Sequence, residues 1–186
     1  MHRALVALAV ALAACGAMRP ELDPKEHVRG ERRRAIPIPF ERFWPMVVAA
    51  LPTEGVRVTR ADAARGAITT APVRFHGNDA AKRLAEIGDL SRVRRAGLGR
   101  VSDLEVTFYL LLAPAGDSGT TLRVRSAIEA IDRGVSFLGP GIFGVVPRRV
   151  EVPSRGVVEQ ELVRRLAAGM FTVEEMLFLL GEPGVD

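Results

Sequence analysis

Few residues in this 186-residue chain are of a type and spacing that could do chemistry, and the most distinctive is the only cysteine, Cys15. It stands where the apolar run of "MHRALVALAVALAACGAMRP" gives way to Gly, Met, Arg and Pro. A thiol in this position needs to be accessible and reactive rather than packed, whereas a core cysteine would fall within the periodic pattern of a folded domain. With no second cysteine an internal disulfide is impossible, and so is a Cys-rich metal site. Of the histidines, His2 lies in the leader, His27 in a polar stretch and His76 beside Gly77 and Asn78. No HxH or HExxH spacing makes them a metal centre. Ser102 and Ser126 occupy no GxSxG turn. Asp103 and Glu105 alternate onto one strand face, where a solvated sheet surface explains them more simply than a carboxylate pair. Glu174 and Glu175 open an apparent helix, where negative charge suits the positive dipole end. Gly139, Gly141 and Gly144 fall at G-x-G-x-x-G spacing, but not between an expected strand and an expected helix, and no P-loop occurs, so no cofactor is expected.

The residues around Cys15 read as a secretory leader. A short basic start, His2 and Arg3, precedes an apolar core from Ala4 to Leu12 that is too short to span a bilayer. Leu12-Ala13-Ala14-Cys15 resembles the lipobox of bacterial lipoprotein precursors. That resemblance implies diacylglycerol on the Cys15 thiol, cleavage before it, and acylation of the new amine. The membrane partner is then the bilayer, reached through acyl chains on Cys15, each buried methylene contributing about 0.8 kcal/mol. Gly16 follows in place of the aspartate that marks inner-membrane retention in enterobacterial lipoproteins, which points to the outer membrane, facing the periplasm.

The expected organisation is a signal peptide over 1–14, a lipidated flexible tether over 15–34, one α+β domain over 35–182 and a short tail over 183–186. Removing Arg3 with the leader leaves 25 basic against 22 acidic side chains, an excess of 3 that gives no reason to expect nucleic acid as a partner. Local clusters stand out more, at Arg29 and Arg32 to Arg34, and at Arg92, Arg94, Arg95 and Arg100. Either could touch anionic headgroups, although a solvated arginine-rich surface explains both.

The elements that must position these residues follow from periodicity. "AIPIP" is a short extended entry or sheet edge, since Pro37 and Pro39 lack ladder donors. "FERFWPMVVAALP" spaces Phe40, Phe43, Trp44, Val47, Val48 and Leu51 by three and four, an amphipathic helix that tolerates Pro45 in its first turn and ends at Pro52 and Gly55. Val56 to Arg60, a turn at Arg65-Gly66 and a return through Ile68 and Thr70 form a hairpin. Residues 76–99 are a short helix or a mobile insertion. Leu104, Val106, Phe108, Leu110 and Leu112 alternate along one strand, and Leu122, Val124 and Ile128 along the next. "PAGDSGT" joins them antiparallel. Val158, Leu162 and Leu166 mark a late helix, and Thr172 to Glu175 caps a further stretch to Gly181. The expected fold is an α+β antiparallel β-sheet covered on one face by the early helix and the C-terminal helices.

The least ordinary segment is "RGVSFLGPGIFGVVPRR", with Phe137, Leu138, Ile142 and Phe143 framed by Arg133, Arg148 and Arg149. Three roles compete for it: a loop folded into the core, which stands first, an apolar tip at the lipid interface, and a partner-binding surface.

"FERFWPMVVAALPTEGVRVTRADAARGAITT", set beside the lipobox, resembles BamC-like helix-grip lipoproteins of the bacterial envelope. The shared pattern is a helix carrying Trp44, an extended segment, a charged turn at Arg65-Gly66 and a return strand with Ile68. It implies a helix-grip-like fold, no catalytic residue, and a binding or assembly role with an envelope protein partner. Members of that family carry two such domains, whereas this chain has room for one. A carrier of a lipid or small apolar ligand, held between sheet and helices, is the alternative; an envelope hydrolase is the weakest.

Overall fold

The computed structural model describes residues 31–139 and 142–170. Two long strands organise them, β5 (Asp103–Pro114) and β6 (Thr120–Asp132), paired antiparallel from Asp103↔Ile131 to Pro114↔Thr120. Their alternation decides which face is dry: Leu104, Val106, Phe108, Leu110 and Leu112 are buried with Leu122, Val124 and Ile128. On the opposite face Tyr109 is 43% exposed.

Each long strand is flanked by two short ones laid end to end. Beside β6 run β1 (Arg32–Ile36), against residues 120–124, and β9 (Arg148–Val152), against residues 128–132. Beside β5 run β3 (Ala67–Thr70) and β4 (Val73–His76), and β2 (Val58–Asp62) adds an outer edge to β3. All pairings in this seven-stranded sheet are antiparallel. The break between β3 and β4 falls at Ala71-Pro72, and Pro72 has no amide to donate. The buried Thr70 hydroxyl accepts the Phe108 amide at 3.0 Å, so the ladder's gap leaves no orphan there.

Helices cover the dry face, giving the α+β architecture expected. Phe43, Val47 and Leu51 of α1 (Phe40–Thr53) are fully buried, as the spacing of four predicts. Beside it, α4 (Val157–Met170) buries Val158, Leu162 and Leu166. Residues 77–95 add to the cover with α2 (Gly77–Ile87), which buries Ala80, Leu84 and Ile87, and α3 (Leu90–Arg95), which buries Val93. The insertion reading fails there because three apolar residues at spacings of four and three are enough to dock a charged helix.

Three boundaries differ from expectation. The sheet begins at Arg32, inside the segment read as tether, because Glu31 binds Arg123 at 2.7 Å and the arginine side chains of an edge strand need no burial. Pro45 is the sixth residue of α1, beyond the first turn, and Pro52 lies within the helix instead of ending it. Burial of Phe43, Val47 and Leu51 at 0% exposure offsets the amide that Pro45 withholds. The second C-terminal helix, the tail and the leader with Cys15 lie outside the described residues.

Candidate functional site

The described side chains of the segment from Arg133 to Arg149 lie outside the core. β7 (Val135–Gly139) and β8 (Ile142–Val145) pair with each other as a separate two-stranded sheet, with Val135 opposite Val145 and Phe137 opposite Phe143. A hairpin pairs its inward amides and carbonyls through its own ladder and leaves the outward ones to water, so it needs no place in the main sheet. Phe143 is 69% exposed, Val145 59% and Val146 42%. Phe137 and Leu138 lie on β7 and Ile142 opens β8; their side chains are outside the described ones.

The three arginines framing this hairpin are engaged with the domain. Arg133 Nε lies 2.6 Å from Asp103 Oδ2. Arg148 donates to the carbonyls of Ala96 at 2.8 Å and Gly97 at 3.3 Å, just past the end of α3. Arg149 donates to Glu129 at 2.9 Å and Glu105 at 3.1 Å, two carboxylates that stand directly opposite in the ladder. Like charges so placed repel, and the guanidinium between them removes the repulsion. Its hydrogen bonds to Glu129, then Glu105, hold the Arg149 pKa above its ordinary value.

Asp103 is the centre of a second constellation. The pairing of β4 with β5 sets His76 opposite it, with Nδ1 2.5 Å from Oδ1. Ser102 Oγ lies 3.0 Å from Asp103 Oδ2, where Arg133 also binds. Serine, histidine and aspartate therefore meet, but in the wrong order for a hydrolase. The Ser102 hydroxyl faces Asp103 and the Ile131 carbonyl and accepts the Arg133 amide. Among the described residues it makes no bond to His76 that would activate it. Asp103 and Glu105 do not form a carboxylate pair either, since Glu105 binds Arg74 at 3.0 Å as well as Arg149.

The hydrogen bond from His76 is the largest influence on the Asp103 carboxyl. With Ser102 and Arg133 it outweighs partial burial and holds the pKa below the ordinary carboxylate value. A depressed folded pKa means stability that is complete above the unfolded pKa, about 3.9, and is lost as pH falls through the folded one. Asp103→Asn should therefore be less stable than the parent at pH 6, with the gap closing below about pH 4. Urea denaturation across that range checks it; a gap independent of pH would contradict it.

A cleft of about 390 Å³ opens between α4, α2 and the sheet. Val73, Phe75, Val106, Phe108 and Leu162 supply apolar walls, and Glu54, Arg83, Glu161 and Arg165 a charged rim. Arg83 of α2 bridges to Glu161 of α4, binds Glu86 at 2.9 Å and lies 6.0 Å from the Phe75 ring centroid. Arg165 meets the other Glu161 oxygen at 2.6 Å. Burial alone would raise the Glu161 pKa, but hydrogen bonds and charge from Arg83, joined by Arg165, outweigh it and lower it. The volume falls within the range of small-molecule pockets.

Glu159 is the residue that sequence reasoning passed over. It is 1% exposed and accepts the Ser126 hydroxyl at 2.6 Å and the Ser154 hydroxyl at 2.8 Å. Lying in the first turn of α4, it also faces the positive end of that helix. Its spacing of three, four and seven from Leu162, Val163 and Leu166 was the available signal, a charge on an apolar face. The arrangement ties α4 to β6 and leaves Ser126 no exposed base.

Among the described residues no three His, Cys, Asp or Glu side chains are grouped to hold a metal ion, and no helix is long and apolar enough to cross a membrane. Compared with family models and with curated proteins, the chain matches none.

Proposed function

We propose that this chain is a lipid-anchored, non-enzymatic binding component of the bacterial cell envelope, facing the periplasm from the outer membrane. The observation that carries the binding role is the β7–β8 hairpin, which holds Phe143, Val145 and Val146 outside the core on a base pinned by three arginines. Exposed apolar side chains grouped on one element mark an interaction site more than scattered ones do. The anchor rests on the leader and Cys15, and the sheet with helices on one face suits a helix-grip-like domain.

Chain length supports this arrangement. From Cys15 to Arg32 the backbone can extend roughly 55–60 Å. Arg32 pairs with Val124, and β6 runs from there about 27 Å to Asp132 at the hairpin's root. The hairpin end is thus within reach of the surface that holds the lipid. Intact-mass and peptide mass spectrometry of protein from its native host tests the anchor: the mature chain should begin at Cys15 with diacylglycerol on sulfur. A chain starting elsewhere with a free thiol overturns it.

The cleft favours a second reading, a carrier of an apolar chain. In that case cis-parinaric acid should bind saturably, and Val73→Trp, which fills the cleft from a partly exposed wall position, should weaken it about tenfold or more. Unsaturable binding, or a folded Val73→Trp protein that binds equally well, removes the reading.

A further inference from the structure

We infer that the end of the domain carrying the β7–β8 hairpin docks on an anionic phospholipid surface, with the hairpin's apolar residues at the interface and the arginines of residues 92–100 against the headgroups. The inference deepens the anchored-binding reading and rests on it for the nearness of a bilayer.

Charge decides between lipid and other occupants. The arginines that frame the hairpin in sequence, Arg133, Arg148 and Arg149, spend their donors on Asp103, on the Ala96 and Gly97 carbonyls, and on Glu105 and Glu129. A second set does not. Arg92, Arg94, Arg95 and Arg100 are exposed, and their side chains form no ion pair or hydrogen bond among the described residues. No acidic residue lies between Asp89 and Asp103 to balance them.

These four sit at the hairpin's base. Arg148, three residues beyond Val145, binds the carbonyls immediately after Arg95. On the other side Arg133 binds Ser102 and Asp103, and the Arg100 amide faces Asp132 at 3.5 Å. The segment 96–103 therefore touches both feet of the hairpin, and an apolar element and a positive segment unpaired among the described residues share one end of the molecule. A protein partner would have to offer an acidic ring around an apolar centre. An anionic bilayer offers that combination everywhere, with phosphates above an apolar boundary. The bland explanation, that arginines near the C-terminus of α3 suit its dipole, covers Arg92, Arg94 and Arg95 but neither Arg100 nor the exposed valines.

The test uses the full-length acylated protein with Val145→Cys bearing an environment-sensitive nitrobenzoxadiazole dye, and Ser118→Cys in the β5–β6 turn as the distant control. It is mixed with phosphatidylcholine vesicles and with vesicles containing phosphatidylglycerol. The dye at 145 should brighten severalfold and shift to the blue on phosphatidylglycerol alone, while the dye at 118 should not. The triple variant Arg92→Gln, Arg94→Gln, Arg95→Gln should lower the docked-to-free ratio on the order of a hundredfold, since each arginine near such a surface is worth roughly a factor of five. Salt at 0.5 M should act in the same direction. Flotation with phosphatidylcholine vesicles reads the anchor separately: protein that fails to float has lost the anchored reading, whatever the dye does. Protein that floats while the dye at 145 stays aqueous on phosphatidylglycerol overturns the docking, as does crosslinking of position 145 to a protein partner in native membranes without the dye response.

Discussion

Cys15→Ser is expected to abolish palmitate incorporation and to leave the leader uncut, because in lipoprotein precursors like the one this start resembles, cleavage follows modification of the thiol. The physical stake is large. Stable anchoring takes two signals, such as two acyl chains, since one chain gives only reversible binding; a protein stripped of all its chains loses membrane affinity by several orders of magnitude. An uncut apolar leader can hold a chain at the membrane for a different reason, so labelling and the mass of the amino end are the informative readouts. A companion form, in which residues 1–15 are replaced by a cleavable leader without cysteine, should place the domain in the soluble periplasmic fraction at low occupancy of the membrane. Normal cutting of Cys15→Ser, with an unchanged membrane fraction for both forms, would remove the anchor from the proposed function.

The parts of the fold that were legible beforehand are those where a local period exceeds local noise. Five apolar residues from Leu104 to Leu112 at a period of two, and Phe43, Val47 and Leu51 at a period of four, each bury a full face. β1 was legible only at its end, where "AIPIP" reads as an extended edge; its three arginines carry no such signal, and they are placed by pairing with β6, some ninety residues away. β4 was hidden for the same reason, being four residues long and defined by its register on β5. The meeting of His76 with Asp103 follows from that register and from nothing local. Glu159 differs: its place on the apolar stripe of α4 was open to inspection, and its two serine partners were not. The cleft lies between elements, so no single stretch of chain encodes it. The hairpin's glycines and apolar residues were conspicuous in sequence, but whether they turned inward depended on the engagement of Arg133 and Arg148 with segment 96–103.

The Arg65-Gly66 turn offers the sharpest test of how the fold is held. Asp62 accepts the Arg65 amide, a single 3-10 turn spans Ala63–Arg65, and Gly66 follows with φ at +61° in the left-handed region. Its carbonyl accepts the Leu112 amide at 2.8 Å. A Cβ built on Gly66 would fall 1.8 Å from the Leu112 carbonyl oxygen, a backbone atom of the central strand that cannot rotate away. Gly116, in the β5–β6 turn, has nearly the same φ of +68° and nothing within 4 Å of such a Cβ. The two positions therefore separate conformational strain from collision. Gly116→Ala should cost about 1 kcal/mol, the left-handed penalty less the entropy removed from the unfolded chain. Gly66→Ala should cost roughly 3 to 4 kcal/mol, because relieving the collision also strands the Leu112 amide and loosens Ile68 against Leu110. Urea midpoints at unchanged m-value would read the difference directly. Equal losses at the two sites would mean that β3 can part from β5 without penalty, and the close approach at Leu112 would then not be what fixes the turn.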